Sequence, residues 1–239
     1  MIKLMGYNVF EGELSAIDLK NKKVINTINP HSYITAKGDQ YFKQALQNSD
    51  LLVPDGSGIV LAAKQIGKHS IKKIAGSDLH NFLLKETNYI GGKVFYMGAS
   101  QKTLNKIEKK IKKEFLNIKV ESYSPPFKAE FSKQDNDKIV DRINTFKPDV
   151  LFVGMTAPKQ EKWLHANKEK LDFITACSIG AVFDFYAGTI KRPSKFWLEL
   201  HLEWLLRFIK EPRRLWRRNF ISTPLFLLDM ILYKFGFIK

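Results

Sequence analysis

The stretch Pro148-Asp149-Val150-Leu151-Phe152-Val153-Gly154-Met155-Thr156-Ala157-Pro158-Lys159-Gln160-Glu161-Lys162-Trp163 decides the fold. Its first part is a nearly continuous apolar run of strand length, expected as a strand over Asp149–Val153. A strand with one wet face alternates apolar and polar residues, so an unbroken run points to a sheet covered on both faces. A short polar loop then leads into a segment of helical period, expected as a helix over Lys159–Lys168. Strand, loop and helix in this order make a βα unit.

The same texture recurs on both sides. Further strands are expected at Val24–Ile28, Asp50–Val53, Val94–Met97, Ile118–Tyr123 and Phe173–Ser178. Helices are expected at Gln40–Asn48, Ser57–Ile66, Ser77–Thr87, Lys102–Phe115 and Lys133–Phe146. Alternation at this spacing predicts an α/β domain built on a mostly parallel sheet flanked by helices. The 239 residues hold one such domain with an appendage, or at most two small domains, and 44% apolar residues suffice for a normal core. There is no internal repeat and no low-complexity linker.

The lone Cys177 excludes an intramolecular disulfide and any cysteine-based zinc site within one chain, a pattern suited to a reducing compartment. The opening MIKLMGYNVFEGEL lacks the apolar run and small-residue cleavage site of a signal peptide, so a cytoplasmic protein is expected. The net charge of +15 is unevenly spread: residues 189–239 carry eleven Lys/Arg against four Asp/Glu, a charge density several-fold above that of the preceding residues. This bias suggests a polyanionic partner, whether phosphate, nucleic acid or an acidic lipid surface.

From Phe196 onward the texture changes, which divides the chain into an α/β domain at 1–195 and a basic, aromatic-rich appendage at 196–239. The appendage holds Trp197, Trp204 and Trp216, shows no strand-like alternation, and is expected as two or three amphipathic helices broken near Pro212 and Pro224. Its apolar run Leu225–Tyr233 contains Asp229 and is too short to span a bilayer. Basic residues beside Trp, Phe and Leu are the composition of a helix lying in a membrane interface. A helix packed on its own domain, or a contact between two copies, has the same composition.

In a parallel α/β sheet, ligands bind beyond the carboxyl ends of the strands. Five loops on that expected edge carry Gly, hydroxyl, amide or carboxylate groups: Asn26–Pro30, Pro54–Gly58, Gly98–Ser100, Gly154–Gln160, and Ser178–Ala181 followed by Asp184. Such clustering fits a polar ligand large enough to touch several of them. In Pro54-Asp55-Gly56-Ser57-Gly58 a sharp turn leaves Asp55 at a strand end, where its carboxylate suits proton abstraction from a hydroxyl. A turn or helix-capping role is the common fate of such an Asp-Gly pair. Gly98 opens a βα turn whose backbone N–H groups suit phosphate. Thr156 and Gln160 suit donation to a nucleotide or sugar, while Lys159 and Gln160 equally fit the plain surface of a helix start.

Other patterns fail. Gly56-Ser57-Gly58 lacks the small third residue of a dinucleotide fingerprint, because Leu61 stands there, and no Walker pattern occurs. Asp135-Asn136-Asp137 has metal-binding spacing but lies at a helix start, where acids are favoured by the dipole alone. His31, His69, His80, His165 and His201 are scattered without ligand spacing.

TINP, LLVPDGSGIVLAAK, KKIAGSDL, VFYMGAS, PDVLFVGMTAPKQEKW, SIGAVFDFYAGTIKRPSKFW and LEWLLRFIKEPRRLWRR, in this order from about residue 24 to 218, resemble the WecG/TagA/CpsF glycosyltransferase family. The resemblance implies a Rossmann-like fold with a C-terminal appendage and an inverting reaction that needs no metal or other cofactor. It implies a UDP-sugar donor of the N-acetylmannosamine type, or in some members N-acetylmannosaminuronic acid or glucose. The implied acceptor is an undecaprenyl-diphosphate-linked sugar, for surface polysaccharide or teichoic acid synthesis. By motif, Asp55 is the expected general base, with Thr27 and Asn29 lining the same pocket. Gln160 and Asp184 are expected on the sugar nucleotide; Gly98 and Gly154 are expected there from their place in strand-end loops. Lys73 stands where the family commonly has Arg, which keeps the charge and loses the bidentate fork. Arg207, Arg214 and Arg217 match appendage arginines that serve the departing UDP.

An acceptor whose polyprenyl tail stays in the bilayer requires peripheral attachment at the inner face of the cell membrane, through an anionic surface. The apolar surface of the tail also admits self-association. Two rival classes are a nucleic-acid-binding protein, disfavoured by the apolar stripe in the tail and the lack of any binding motif, and an NAD(P) oxidoreductase, disfavoured by Leu61.

Overall fold

The computed structural model describes residues 1–189, 208 and 212–238. The chain opens with an antiparallel hairpin, β1 (Ile2–Leu4) and β2 (Tyr7–Val9). Met5 and Gly6 make its two-residue turn, both at positive φ, the backbone whose twist matches that of the flanking strands. A 3-10 turn at Leu14–Ala16 leads to β3 (Lys23–Ile28), α1 (Pro30–Gly38), α2 (Gln40–Gln47), β4 (Leu51–Pro54), α3 (Ser57–Gly67) and α4 (Gly76–Tyr89). The chain continues through β5 (Lys93–Gly98), α5 (Gln101–Glu114), β6 (Lys119–Tyr123), α6 (Lys133–Phe146), β7 (Val150–Gly154), α7 (Lys159–Asn167), β8 (Thr175–Ser178) and α8 (Gly180–Tyr186). The described C-terminal part holds α9 (Pro212–Trp216), a π-helical turn (Arg217–Ser222) and α10 (Thr223–Lys234).

Strands β3 to β8 form a six-stranded sheet in the order β4-β3-β8-β7-β5-β6, with every pairing parallel. The expected α/β class is therefore what the chain adopts. Strand β7 shows why its apolar run is unbroken. Val150 and Phe152 pack on one face with α4, α5 and α8, while Leu151 and Val153 pack on the other with α6 and α7. Both faces are dry, so neither tolerates a polar residue.

The six expected strands all occur, and each of the six expected helices occurs with ends shifted by up to two residues. The hairpin, α1 and α8 were not anticipated. Helix α1 starts where Asn29 accepts from Ser32 N at 3.0 Å while Ser32 Oγ accepts from Asn29 N at 2.8 Å, with Pro30 in the first turn. This reciprocal cap satisfies donors that a helix start otherwise leaves orphaned.

The described tail departs from the expected break at Pro224. That proline sits in the first turn of α10, and the preceding π-helical turn carries the chain into it without a loop. Phe226 and Met230 on α10 are buried with Ile28, Tyr33, Ile59 and Ala62, so the tail shares a core with α1, α3 and β3. Among the described residues, no helix is long and apolar enough to cross a membrane. Residues 196–207 of the expected appendage lie outside the described residues.

Candidate active site

Thr27, Asn29 and Asp55 meet at one place because β3 and β4 are parallel neighbours. Thr27 is in register with Val53 and Ile28 with Pro54, and Asp55 N donates to Ile28 O at 2.8 Å. Asp55 is half-buried, at the tip of β4 beside the start of α1. The next residue, Gly56, has φ +117, a backbone that L side chains rarely adopt. A Cβ on Gly58 would lie 2.5 Å from Pro30 Cγ, so α3 starts tightly against α1. Ile74 N donates to Pro54 O at 2.9 Å, which brings the segment carrying the exposed Lys73 beside the same turn.

A second locus lies where β5 and β7 adjoin. The chain leaves β5 toward β6 on one side and leaves β7 toward β8 on the other, so this is a switch point of the sheet, the usual position of a ligand crevice. Gly98 and Gly154 are in register there, and Ala99 N donates to Gly154 O at 2.9 Å. Gly98 has φ +115, and a Cβ on it would lie 2.1 Å from Gly154 O. Ser100 caps α5 by accepting from Thr103 N. At about 4.8 Å per strand, the tips of β4 and β5 stand roughly 19 Å apart. Ser178 and Gly180 lie along this edge between the two loci. The edge therefore suits an elongated polar ligand, with a carboxylate at one end and backbone amides at the other.

Gln160 is buried, and its side chain joins loops. Its Oε1 accepts from Met155 N at 3.2 Å and from Gly180 N at 3.0 Å, and its Nε2 donates to Glu161 Oε1 at 2.8 Å. Asp184, on α8, accepts from Thr189 Oγ1 at 3.1 Å. Thr156 is exposed. Lys159 is turned to Lys128 O and the Phe131 ring, which occupies it away from the crevice loops.

The tail reaches the first locus. His31, two residues beyond Asn29, pairs through Nδ1 with Ser222 Oγ at 2.9 Å. Burial, and then the Arg218 and Arg217 guanidinium charges, lower its pKa. Arg217 and Arg218 thus bring positive charge to the start of α1. Arg214 falls within α9, and Arg207 lies outside the described residues. In the sequence His31 shows no ligand spacing. Its one signal was adjacency to the TINP motif.

Other candidates are occupied structurally. Asp135 accepts from Lys128 Nζ and, closing the capping box of α6 with Ser132, from Ser132 N, contacts that hold its carboxyl down at about 2. His80 is buried against Tyr96 OH at 2.6 Å, and burial pushes it down to about 3, so it is a neutral core residue. Among the described residues no His/Cys/Asp/Glu group could hold a metal ion.

The sequence profile described as the glycosyl transferase WecG/TagA/CpsF family matches residues 6–239. The chain is 31% identical over 212 residues to a Bacillus spizizenii protein named N-acetylglucosaminyldiphosphoundecaprenol N-acetyl-beta-D-mannosaminyltransferase, covering 89% of this chain and 80% of that one. Proteins of the same name from Bacillus subtilis and Staphylococcus aureus are 31% and 27% identical, over 90% and 87% of this chain and 81% and 79% of theirs.

Proposed function

The chain belongs to the WecG/TagA/CpsF family and is a glycosyltransferase; from that premise we propose that it moves a hexose of the N-acetylmannosamine type from a UDP-sugar onto a polyprenyl-diphosphate-linked sugar. The observation that carries this reading is the division of one sheet edge between a half-buried Asp55 beside Asn29 and the Gly98–Gly154 crevice. The acceptor sugar lies at the first, where the donor's anomeric carbon and diphosphate meet it, and the donor extends along the edge so that its uridine end reaches the second. The names of the relatives support the acceptor class.

In the reaction Asp55 takes the proton of the acceptor hydroxyl as its oxygen bonds to the anomeric carbon. The bond from that carbon to the UDP oxygen breaks with inversion, and UDP leaves with the electron pair. Arg217, with Arg207 and Arg214 from the same tail and Lys73 at the β4 turn, offsets the charge that develops on the departing diphosphate. This assigns to basic side chains the electrostatic work that a divalent metal performs in many sugar-nucleotide enzymes.

The tail also carries the protein to its lipid-linked acceptor. Leu225, Leu228 and Ile231 share the exposed face of α10, Phe235 is exposed just past its end, and Trp216 and Phe220 stack on each other with ring centroids 5.3 Å apart. With Arg213, Arg217 and Arg218 alongside, this surface fits the interface of an anionic membrane.

A panel of UDP-sugars with a short-chain polyprenyl-diphosphate-sugar acceptor, run with and without EDTA, tests the reading. Transfer from the N-acetylmannosamine donor, unaffected by chelation, is expected. Transfer from none of the donors overturns the reaction class, and loss of activity in EDTA overturns the metal-free mechanism.

A further inference from the structure

Glu161 is a carboxylic acid in the first turn of α7, 4% exposed, whose Oε2 has no hydrogen-bond partner among the described residues. Its other oxygen accepts from Gln160 Nε2 at 2.8 Å. A buried acid with one oxygen unmatched is costly, so the contact it does make has to matter.

The Gln160 amide has two orientations of nearly equal shape. In the observed one Oε1 faces two backbone donors, Met155 N and Gly180 N. In the flipped one the amide NH2 would oppose both of those N–H groups, leaving three donors together and no acceptor. Glu161 adds a third constraint in the same sense: its oxygen takes an amide N–H, which leaves Oε1 to the two backbone donors. Met155 follows β7 and Gly180 opens α8, so the correctly oriented amide is a strut between two strand-end loops. The packing is close: a Cβ on Gly180 would lie 2.2 Å from Met155 O and 2.6 Å from Gln160 Oε1. Gly154, next to Met155, in turn accepts from Ala99 N. The strut therefore ends one residue from the crevice.

We propose that Glu161 is a positioning residue: it orients the Gln160 amide, and through it holds the β7–α7 and β8–α8 loops in the arrangement that receives the nucleotide half of the donor. The nucleotide assignment rests on the proposed function; the strut itself does not. Burial pushes the Glu161 carboxyl up to about 7, consistent with a group that works as a hydrogen-bond acceptor and not as a charge on substrate.

The test compares Glu161→Gln, which keeps an acceptor oxygen, with Glu161→Met, which has similar length and none. Amide hydrogen exchange at Met155 and Gly180, UDP titration, and separate kcat and donor and acceptor KM values are measured on the full chain. Glu161→Met should speed exchange at those two amides by about tenfold or more and raise the UDP dissociation constant and donor KM by a similar factor. Its acceptor KM should be unchanged, and Glu161→Gln should stay within about threefold of native in every readout. If Glu161→Met does not fold, Glu161→Asp, which draws the acceptor back by one methylene, should give the same two-amide signature. Native protection at Met155 and Gly180 in Met or Asp variants overturns the proposal. A native enzyme that transfers no sugar would instead overturn the functional reading, and the exchange data would still decide the role of Glu161.

Discussion

A proton held by Glu161 carries over into the pH dependence of stability. Its folded pKa of about 7 stands above the ordinary 4.5, so across that interval the folded protein retains a proton that the unfolded chain has released. Stability therefore falls as pH rises from about 4.5 to 7, by about 3 kcal/mol in all. Glu161→Gln does not titrate. Urea denaturation should find it close to native near pH 4 and more stable by up to about 3 kcal/mol at pH 8; a native-like slope in the variant would show that the shift belongs elsewhere. Gly98 makes a second single-residue case, since both its φ of +115 and the nearness of Gly154 O oppose a side chain. Gly98→Ala is expected to cost about 1–3 kcal/mol in the same assay and to weaken UDP binding, because the ends of β5 and β7 must separate to admit a methyl group.

Helix α10 has two apolar faces, one buried and one exposed. Phe226 and Met230 face inward, where Phe226 meets the Tyr33 ring edge-on at 5.3 Å. The buried Asp229 pairs with Lys37 of α1 at 2.6 Å. Phe226→Ala should destabilise by about 3–5 kcal/mol, with hydrogen exchange rising first in α10 and α1; unchanged exchange there would mean that the helix is held by other contacts. At this scale the sequence was legible where a period was long. Strand β7 and helices α5 and α6 announce themselves by unbroken or repeating apolar positions. The hairpin Ile2–Val9 alternates buried and exposed residues about Met5-Gly6, a readable signal in strands too short to dominate a window. Helix α1 buries only Ser32, Tyr33 and Ala36, so its start was marked by a cap and a proline and not by periodicity. The motif glycines and Asp55 were visible as residue types at strand ends. The Gln160–Glu161 strut was not, because a hydrogen bond between loops separated in sequence leaves no spacing to read.

Across the whole molecule, the sheet supplies a rigid edge and the tail supplies charge and apolar surface beside one end of it. Removing residues 196–239 would strip Phe226 and Met230 from the core, so point changes on the outer face are the cleaner probe of membrane attachment. Leu228→Glu with Ile231→Glu, at exposed positions, should leave the denaturation midpoint near native and reduce binding to anionic vesicles by about tenfold or more. Native-like vesicle binding by this pair would remove α10 from the contact. Salt should weaken attachment of the native protein as it screens Arg217 and its neighbours. The proposed reaction places its proton transfer at the tip of β4. The most direct test is Asp55→Asn, which keeps shape and removes the base. The variant is expected to bind UDP within about threefold of native while kcat for sugar transfer falls by roughly 10²–10⁴; transfer at a near-native rate would contradict the assignment of Asp55 as the group that takes the acceptor proton.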